Sequence, residues 1–171
     1  MSLDISASDY YHNNAYEFEW LGNRDLIDYL KSMLAKYPIQ FIEDPFDCTD
    51  HEKWEIFSEY YRKNNSDILI AGDDLFASNT NRIESGITNK IANACLIKPN
   101  QTGLIKNVKS AIKTAKMGGL SVIVSQRSGE TDDAFITHLA VGYSADYLKA
   151  GGMNNMDRIS KYNELLRIYQ K

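Results

Sequence analysis

The chain alternates short apolar runs with longer segments of helical periodicity, and this alternation restricts the fold more than any other feature. Four runs rich in Ile, Leu and Val occupy residues 39–42, 68–71, 94–97 and 121–124. A continuous apolar run of this length is typical of a strand that is buried on both faces. Two weaker strand candidates flank the four runs, at residues 3–7 and 146–148.

The segments between the runs repeat their apolar residues at steps of three and four, which predicts helices. The apolar positions of four such segments are Leu26, Ile27, Leu30, Met33 and Leu34; Trp54, Phe57 and Tyr61; Ile105, Val108, Ile112 and Ala115; and Ile159, Tyr162, Leu166 and Tyr169. Strands that alternate with helices predict an α/β fold with a parallel sheet. Buried helices can imitate short apolar runs, although the regular alternation favours strands.

Length and composition limit the class of protein. The 171 residues suit one domain, and 43% hydrophobic with 25% charged residues excludes a disordered or collagen-like chain. The net charge of −4 does not favour nucleic acid or anionic membranes as partners. Neither a membrane span nor a signal peptide is expected from the apolar pattern. The two cysteines, Cys48 and Cys95, lack metal-type spacing and favour a reducing, cytoplasmic location.

Each apolar run stops at a polar or charged residue, and the stops recur at intervals of one β/α unit, about 30 residues. These stops are Asp4, Glu43, Asp73, Lys98, Gln126 and Lys149. Parallel strands end on the same side of a sheet, so we expect these side chains at one rim. That rim is where α/β barrels keep their active sites.

The first three stops are carboxylates, at Asp4, Glu43 and Asp73. Carboxylates held close together raise each other's pKa unless a cation lies between them. Oxygen ligands suit Mg²⁺, which leaves coordination positions for water and substrate. We therefore expect a magnesium site at this rim. The adjacent Asp44 and Asp74 either orient these ligands or cap their loops.

The later stops add cations, with Lys98 and Lys149 expected opposite the acids. A lysine beside a metal and a second lysine has a lowered pKa, which suits a general base. Arg127 adds a planar fork for a phosphate or carboxylate, and Ser128 adds a hydroxyl. This set fits abstraction of a proton next to a carboxylate. A single charged strand end is more often a cap or a solvated loop residue, so the hypothesis depends on all the positions together.

Longer motifs surround four of these positions, and a further motif lies in the last helical segment. They are Ile42-Glu43-Asp44-Pro45-Phe46, Gly72-Asp73-Asp74-Leu75, Leu96-Ile97-Lys98-Pro99-Asn100-Gln101, Ser125-Gln126-Arg127-Ser128-Gly129-Glu130-Thr131 and Lys161-Tyr162-Asn163-Glu164-Leu165-Leu166-Arg167-Ile168. Together with residues 3–11, these motifs resemble the signature segments of enolase, the glycolytic phosphopyruvate hydratase. The likeness runs in order through nearly the whole chain.

The resemblance implies a TIM-type (β/α) barrel of the enolase superfamily, incomplete, with about six of the eight β/α units. It implies a carbon–oxygen lyase that dehydrates 2-phosphoglycerate to phosphoenolpyruvate; enolase-superfamily sites combine a Lys or His base with one or two Mg²⁺ ions. Asp4, Glu43 and Asp73 match the family's Mg²⁺ ligands. Lys98 matches the base that takes the proton from C2, and Lys149 matches the lysine that contacts the substrate carboxylate.

Arg127 and Ser128 match the family's phosphate-binding pair, but the residue before them departs from the family. Gln126 stands where the family has histidine. Histidine can carry a charge or a proton near neutral pH, whereas glutamine can do neither. A reduced rate, a changed substrate affinity or an altered specificity is the expected consequence.

A second departure concerns length, because the chain begins at what resembles the third strand of the family's barrel. Residues 1–171 are thus expected to be the C-terminal part of the barrel domain, without the N-terminal domain and first barrel units. The family's general acid and mobile loop belong to the upstream part, so low activity is expected of the isolated chain. The chain is then a fragment of a longer enolase or a truncated relative. The alternative is a non-catalytic module that binds Mg²⁺, a phosphorylated acid or a partner chain, including a second copy that covers open sheet edges.

Overall fold

The structure, a computed structural model, describes residues 1–19, 21–22, 24–64 and 67–170. Its strands are β1 (Ser2–Asp4), β2 (Tyr11–His12), β3 (Ala15–Tyr16), β4 (Phe41–Glu43), β5 (Leu69–Gly72), β6 (Ala94–Ile97), β7 (Ser121–Ser125) and β8 (Tyr147–Lys149). Its helices are α1 (Leu26–Lys36), α2 (His51–Lys63), α3 (Thr80–Asn89), α4 (Pro99–Thr102), α5 (Ile105–Met117), α6 (Phe135–Gly142) and α7 (Met156–Tyr169). Strands and helices therefore alternate as the sequence predicts.

Within the described ranges, six strands form one sheet in the order β1-β4-β5-β6-β7-β8. All neighbouring pairs are parallel, and β1 pairs with β4 so that Asp4 lies beside Glu43. The predicted α/β class with a parallel sheet is thus confirmed. The order follows the chain because each crossover places the next strand on the same side of the previous one.

The sheet curls into a half-barrel. Across a flat sheet, five strand spacings would separate β1 from β8 by about 24 Å. Yet the ammonium of Lys149, at the end of β8, lies 2.9 Å from Oδ2 of Asp4, at the end of β1. One lysine side chain cannot span the flat-sheet distance, so the carboxyl ends of the strands curve around a common centre.

Both faces of the central strands are buried, as their continuous apolar runs predict. Cys95 and Ile97 of β6 point outward into the main core between the sheet and the helices. Ala94 and Leu96 alternate with them and belong to a smaller apolar cluster inside the curl, shared with Ile123 of β7. The inner face of the half-barrel therefore carries apolar side chains below the rim.

The first strand is shorter than the sequence predicts. It ends at Asp4 rather than at residue 7, because Ser6 adopts a left-handed conformation with φ of 48° and a 3₁₀ helix spans Ala7–Tyr10. The chain then forms the hairpin of β2 and β3, whose turn residues Asn13 and Asn14 have φ of 49° and 61°. Two positive φ values in succession are typical of a type I′ turn, which asparagine tolerates.

The helices lie outside the sheet, and an acid or amide side chain caps the N-termini of α1, α2 and α3. The carboxylate of Asp25 accepts the N–H of Asp28 at the start of α1, and Asp50 accepts the N–H of Lys53 in α2. In the described part of the chain, no helix combines the length and apolar character needed to cross a membrane.

Candidate active site

The predicted rim is present as a set of positions at the carboxyl ends of the six parallel strands. Asp4, Glu43 and Lys149 are the last residues of their strands, and Lys98 and Gln126 follow β6 and β7 directly. Asp73 follows β5 in a tight turn after Gly72. A Cβ on Gly72 would lie 2.9 Å from Leu75 and Phe76 side-chain atoms, so only glycine lets this turn close.

Lys149 connects two of the acids across the curl. Its Nζ donates to Oδ2 of Asp4 at 2.9 Å and to Oε2 of Glu43 at 2.7 Å. These three residues line a cavity of about 540 Å³ inside the half-barrel. The structure thus brings together two predicted metal ligands and one predicted lysine.

The pKa values of this group reflect burial and mutual charge. Burial raises the pKa of Glu43 to about 7 against the opposing charge of Lys149, and the charges of Asp4 and Asp73 add to the rise. Burial acts to lower the pKa of Lys149, but hydrogen bonds and charges from Glu43 and Asp4 outweigh it and raise that pKa. The pKa of Lys149 is thus raised by its own protein neighbours, because carboxylates surround it. The lowered pKa was expected for a lysine beside a metal ion and a second lysine.

Lys98 and Asp73 form the second cluster of the rim, as an ion pair between Nζ and Oδ2. The other oxygen of Asp73 accepts from Nε2 of Gln101 at 3.2 Å. Ser78 closes the ring, because its hydroxyl donates to Oε1 of Gln101 at 2.5 Å and accepts the main-chain N–H of Lys98 at 2.8 Å. Both ends of Lys98 are thereby fixed relative to Asp73.

The roles of Gln101 and Ser78 were not predicted from the sequence. Gln101 lies three residues after Lys98, where the turn of α4 returns its side chain to the rim. Ser78 lies five residues after Asp73 and is buried. The motif around Lys98 pointed to Gln101, whereas no spacing or periodicity distinguishes Ser78 from an ordinary loop serine.

Asp44 orients the acid that follows β5. Its two carboxylate oxygens accept the main-chain N–H groups of Asp73 and Asp74, each at 2.9 Å. Burial raises the pKa of Asp44 to about 7 despite these hydrogen bonds, and the charges of Asp73 and Asp74 add to the rise. Asp44 thus caps the loop after β5 and holds the main chain of Asp73 in place.

Two acid sets at this rim suit a divalent cation by their donor chemistry. Among the described residues, carboxylate oxygens of Asp44, Asp73 and Asp74 all lie within 4.8 Å of one another. Asp44 already uses both of its oxygens on main-chain donors, so it is a poor direct ligand. Glu43 and Asp4 instead direct carboxylate oxygens toward the ammonium of Lys149. The same oxygens would stabilise a metal cation at that position. The carboxylates therefore fit a hard cation.

Gln126, Arg127 and Ser128 lie in the loop after β7. The main-chain N–H of Gln126 donates to the carbonyl of Lys149 at 2.9 Å, while its side-chain Oε1 is buried and has no hydrogen-bond partner among the described atoms. Arg127 and Ser128 are exposed. Arg127 lines a second cleft, of about 310 Å³, together with Asn100. Among the described residues, Arg127 and Ser128 do not contact the rim acids directly. Burial and the charge of Asp73 raise the pKa of Asp74, and the positive charge of Arg127 offsets only part of that rise.

A curled parallel sheet that carries acids paired with lysines at its carboxyl rim defines an α/β-barrel domain with its ligand site in the usual place for that class. Comparison with known proteins makes the assignment specific. The family model described as "Enolase, C-terminal TIM barrel domain" matches residues 1–171. The chain therefore belongs to the enolase family, as its C-terminal TIM barrel domain.

A curated relative supports the same assignment. The enolase of Ehrlichia chaffeensis (strain ATCC CRL-10679 / Arkansas) is 41% identical over 170 residues, which is 98% of this chain. The same alignment covers 40% of the relative, so the chain spans well under half the length of that enolase. The resemblance drawn from the motifs is thus confirmed at the level of the family.

Proposed function

We propose that this chain carries the active-site part of an enolase barrel and serves the Mg²⁺-dependent dehydration of 2-phosphoglycerate to phosphoenolpyruvate. This is a carbon–oxygen lyase reaction of glycolysis and gluconeogenesis. The observation that carries the proposal is the pairing of lysines with acids at one rim, Lys149 with Asp4 and Glu43 and Lys98 with Asp73. Residues 1–171 then form the C-terminal part of a barrel domain. The remaining barrel units and a separate N-terminal domain are found in full-length members of the family.

Asp4, Glu43 and Asp73 would hold the divalent cation, for which we propose Mg²⁺. When bound, such an ion neutralises charge that develops on the substrate carboxylate. Asp44 contributes indirectly, since it holds the main chain at Asp73 in place. The chemistry of Asp4, Glu43 and Asp73 agrees with the proposal, because all three side chains are carboxylates. Burial and the charges of the other two raise the pKa of Glu43, and a cation between them would offset this repulsion.

Lys98 would act as the general base. As a free amine, its Nζ takes the proton from C2 of the substrate, and the electron pair of the broken C–H bond passes into the adjacent carboxylate. Lys149, which stays protonated because its pKa is raised, would stabilise the doubly charged carboxylate that results. The C3–oxygen bond then breaks and the hydroxide leaves as water with a proton from an acid that no motif of this chain supplies.

Arg127 and Ser128 would bind the phosphate. The exposed guanidinium of Arg127 can form two parallel hydrogen bonds with a phosphate, and the Ser128 hydroxyl can donate a third. Gln126, beside them, offers hydrogen bonds but no charge. We therefore expect phosphate affinity to depend mainly on Arg127.

Turnover of 2-phosphoglycerate by the purified chain, followed by the ultraviolet absorbance of phosphoenolpyruvate, tests the proposal. Activity should disappear with chelator and in Lys98→Ala, which removes the base. Lys113→Ala, which changes an exposed lysine on α5, is the matched control and should turn over substrate at the rate of the unmodified chain. Turnover that survives chelation or Lys98→Ala would contradict the proposed mechanism.

The second candidate is a non-catalytic module that binds Mg²⁺ or a phosphorylated acid. Gln126 favours it, because this side chain cannot carry a proton at a position next to the phosphate-binding pair. Calorimetry with 2-phosphoglycerate and Mg²⁺ discriminates the two, since binding without turnover supports the module. We propose a cytoplasmic location in either case, in agreement with the two free cysteines. We also propose small-molecule ligands, and a second copy of the chain as the partner that covers the sheet edges.

A further inference from the structure

A buried lysine lies outside the rim and takes no part in the proposed chemistry. Lys161 is on α7, and its side chain is 0% exposed. Lysine is rarely buried without a compensating partner, because removal of the ammonium from water costs several kcal/mol. The contacts of Lys161 therefore indicate what this residue holds in place.

Among the described residues, the acceptors of the Lys161 ammonium lie in two places. Its Nζ donates to the carbonyl of Thr131 at 2.5 Å and to the carbonyl of Asp157 at 2.6 Å, and it lies 3.3 Å from Oε2 of Glu130. Asp157 belongs to the same helix, whereas Glu130 and Thr131 belong to the loop between β7 and α6. One buried ammonium thus fastens that loop to α7.

Glu130 links Lys161 to the main chain of Arg127. While its Oε2 faces Lys161, its Oε1 accepts the main-chain N–H of Arg127 at 2.9 Å. The guanidinium of Arg127, by contrast, has no hydrogen bond or ion pair within the described part of the chain. The main chain of Arg127 is therefore held while its side chain stays available for a ligand.

Other hydrogen bonds of the loop lie at its two ends. The N–H of Gln126 donates to the carbonyl of Lys149 at 2.9 Å, and the carboxylate of Asp133 accepts the N–H of Phe135 at 2.7 Å. Residues 126–134 contain neither helix nor strand, and residues 127–129 and 131–133 are exposed. Packing alone cannot order such a segment, because it buries little apolar surface. The far end is anchored where the hydroxyl of Thr137, in α6, donates to the carbonyl of Lys161 at 3.2 Å.

We propose that Lys161 is a positioning residue for anion binding: through Glu130 it fixes the main chain at Arg127 so that the guanidinium meets a phosphate ester without first ordering the loop. The inference rests on the proposed role of Arg127 and adds to it a residue on a different element. Preorganisation of this kind raises affinity because less conformational entropy is lost on binding.

Two measurements on Lys161→Met test this inference, and both use the whole chain. Methionine keeps the length and the apolar stem but removes the donors. Amide hydrogen exchange of Arg127 should become at least about tenfold faster, since a charge-assisted contact of the loop is lost. The dissociation constant for inorganic phosphate, from calorimetry at a temperature where the variant is fully folded, should rise about tenfold as well.

Lys116→Met is the matched control. Lys116 also donates to two main-chain carbonyls, those of Tyr143 and Ser144, but it lies away from the loop. Its variant should leave both Arg127 exchange and phosphate affinity unchanged. Glu130→Ala serves if Lys161→Met fails to fold, because Glu130 is partly exposed and its removal leaves the two carbonyl contacts of Lys161 intact.

The outcomes separate the inference from the function on which it rests. If the unmodified chain binds phosphate and folded Lys161→Met or Glu130→Ala binds it equally well, the positioning role is overturned while the role of Arg127 stands. If the unmodified chain binds no phosphate, the proposed role of Arg127 fails, and the inference fails with it. Slower or unchanged exchange at Arg127 in both variants would also overturn the inference.

Discussion

Replacement of Gly86 by alanine sets two opposing effects against each other in α3. Gly86 is buried, and a Cβ built on it would lie 2.3 Å from Cε1 and 2.8 Å from Cζ of Phe76. The ring of Phe76 is itself fully buried, so it has no open space into which it can move. Phe76 lies in the turn after Asp73, and its N–H donates to the carbonyl of Asp73, so the substitution acts on a residue that contacts the rim.

The sizes of the two effects determine whether Gly86→Ala raises or lowers the free energy of unfolding. Alanine in place of glycine favours a helix interior by about 1 kcal/mol. Overpacking of a filled core costs about 1–3 kcal/mol, and a contact this short with a buried ring lies at the upper end of that range. We expect a net destabilisation of about 1–2 kcal/mol, which lowers the melting temperature by about 2–8 °C for a domain of this size.

Urea unfolding of Gly86→Ala, with Gly142→Ala as the control, measures this difference. Gly142 ends α6, and a Cβ there would meet nothing within 4 Å, so the same substitution should stabilise by about 0.4–1 kcal/mol. Combining Gly86→Ala with Phe76→Leu should recover part of the loss, because the shorter side chain removes the clash. A neutral or stabilising Gly86→Ala, or no coupling to Phe76→Leu, would refute the reasoning.

Three further predictions concern the metal, the sheet and the anion site. Burial raises the pKa of Glu43 to about 7, so a proton competes with the cation below that pH. Mg²⁺ affinity should therefore rise with pH up to about 7 and then level off, with proton release at pH 6 visible by calorimetry in two buffers; affinity that is independent of pH would contradict this. Asn93→Ala removes the side-chain bonds to the carbonyl of Ile68 (2.8 Å) and the N–H of Ile70 (2.6 Å), and should cost about 1–2 kcal/mol in urea unfolding. An unchanged midpoint would show that these bonds do not stabilise β5. Gln126→His introduces a group that titrates near pH 6.5, so inorganic phosphate should bind the variant more tightly than the unmodified chain below that pH and equally above it, as followed by NMR titration. A difference that does not change with pH would exclude the added charge as its cause.

The central strands could be predicted from sequence because both of their faces are buried, which leaves continuous apolar runs such as the one at β6. Helix α3 could not be predicted from its apolar pattern. Only Ile83 and Gly86 of its ten residues are buried, and a glycine inside a helix weakens the periodic signal. The hairpin of β2 and β3 could not be predicted for a different reason, because strands of two residues are too short to show an alternation of apolar and polar residues.

The location of the rim residues could be predicted because strand ends in a parallel sheet converge whatever their chemistry. Their pairing could not be, because it depends on how far the sheet curls. Lys149 contacts Asp4 and Glu43, not a second lysine, and this reverses the expected direction of its pKa shift. The supporting contacts of Ser78 and Lys161 were equally hidden, since each depends on loop geometry rather than on spacing.

The hydrogen bond between Lys149 and Asp4 also has a consequence for the order of folding. It joins residues 145 positions apart. Contacts between neighbouring strands close much shorter loops and lose less chain entropy, so they can form before this one. The rim is then complete only when the last strand has been added to the sheet. A probe on Lys149 or Asp4 should accordingly report the final step of folding, after the circular dichroism of the helices has reached its native value.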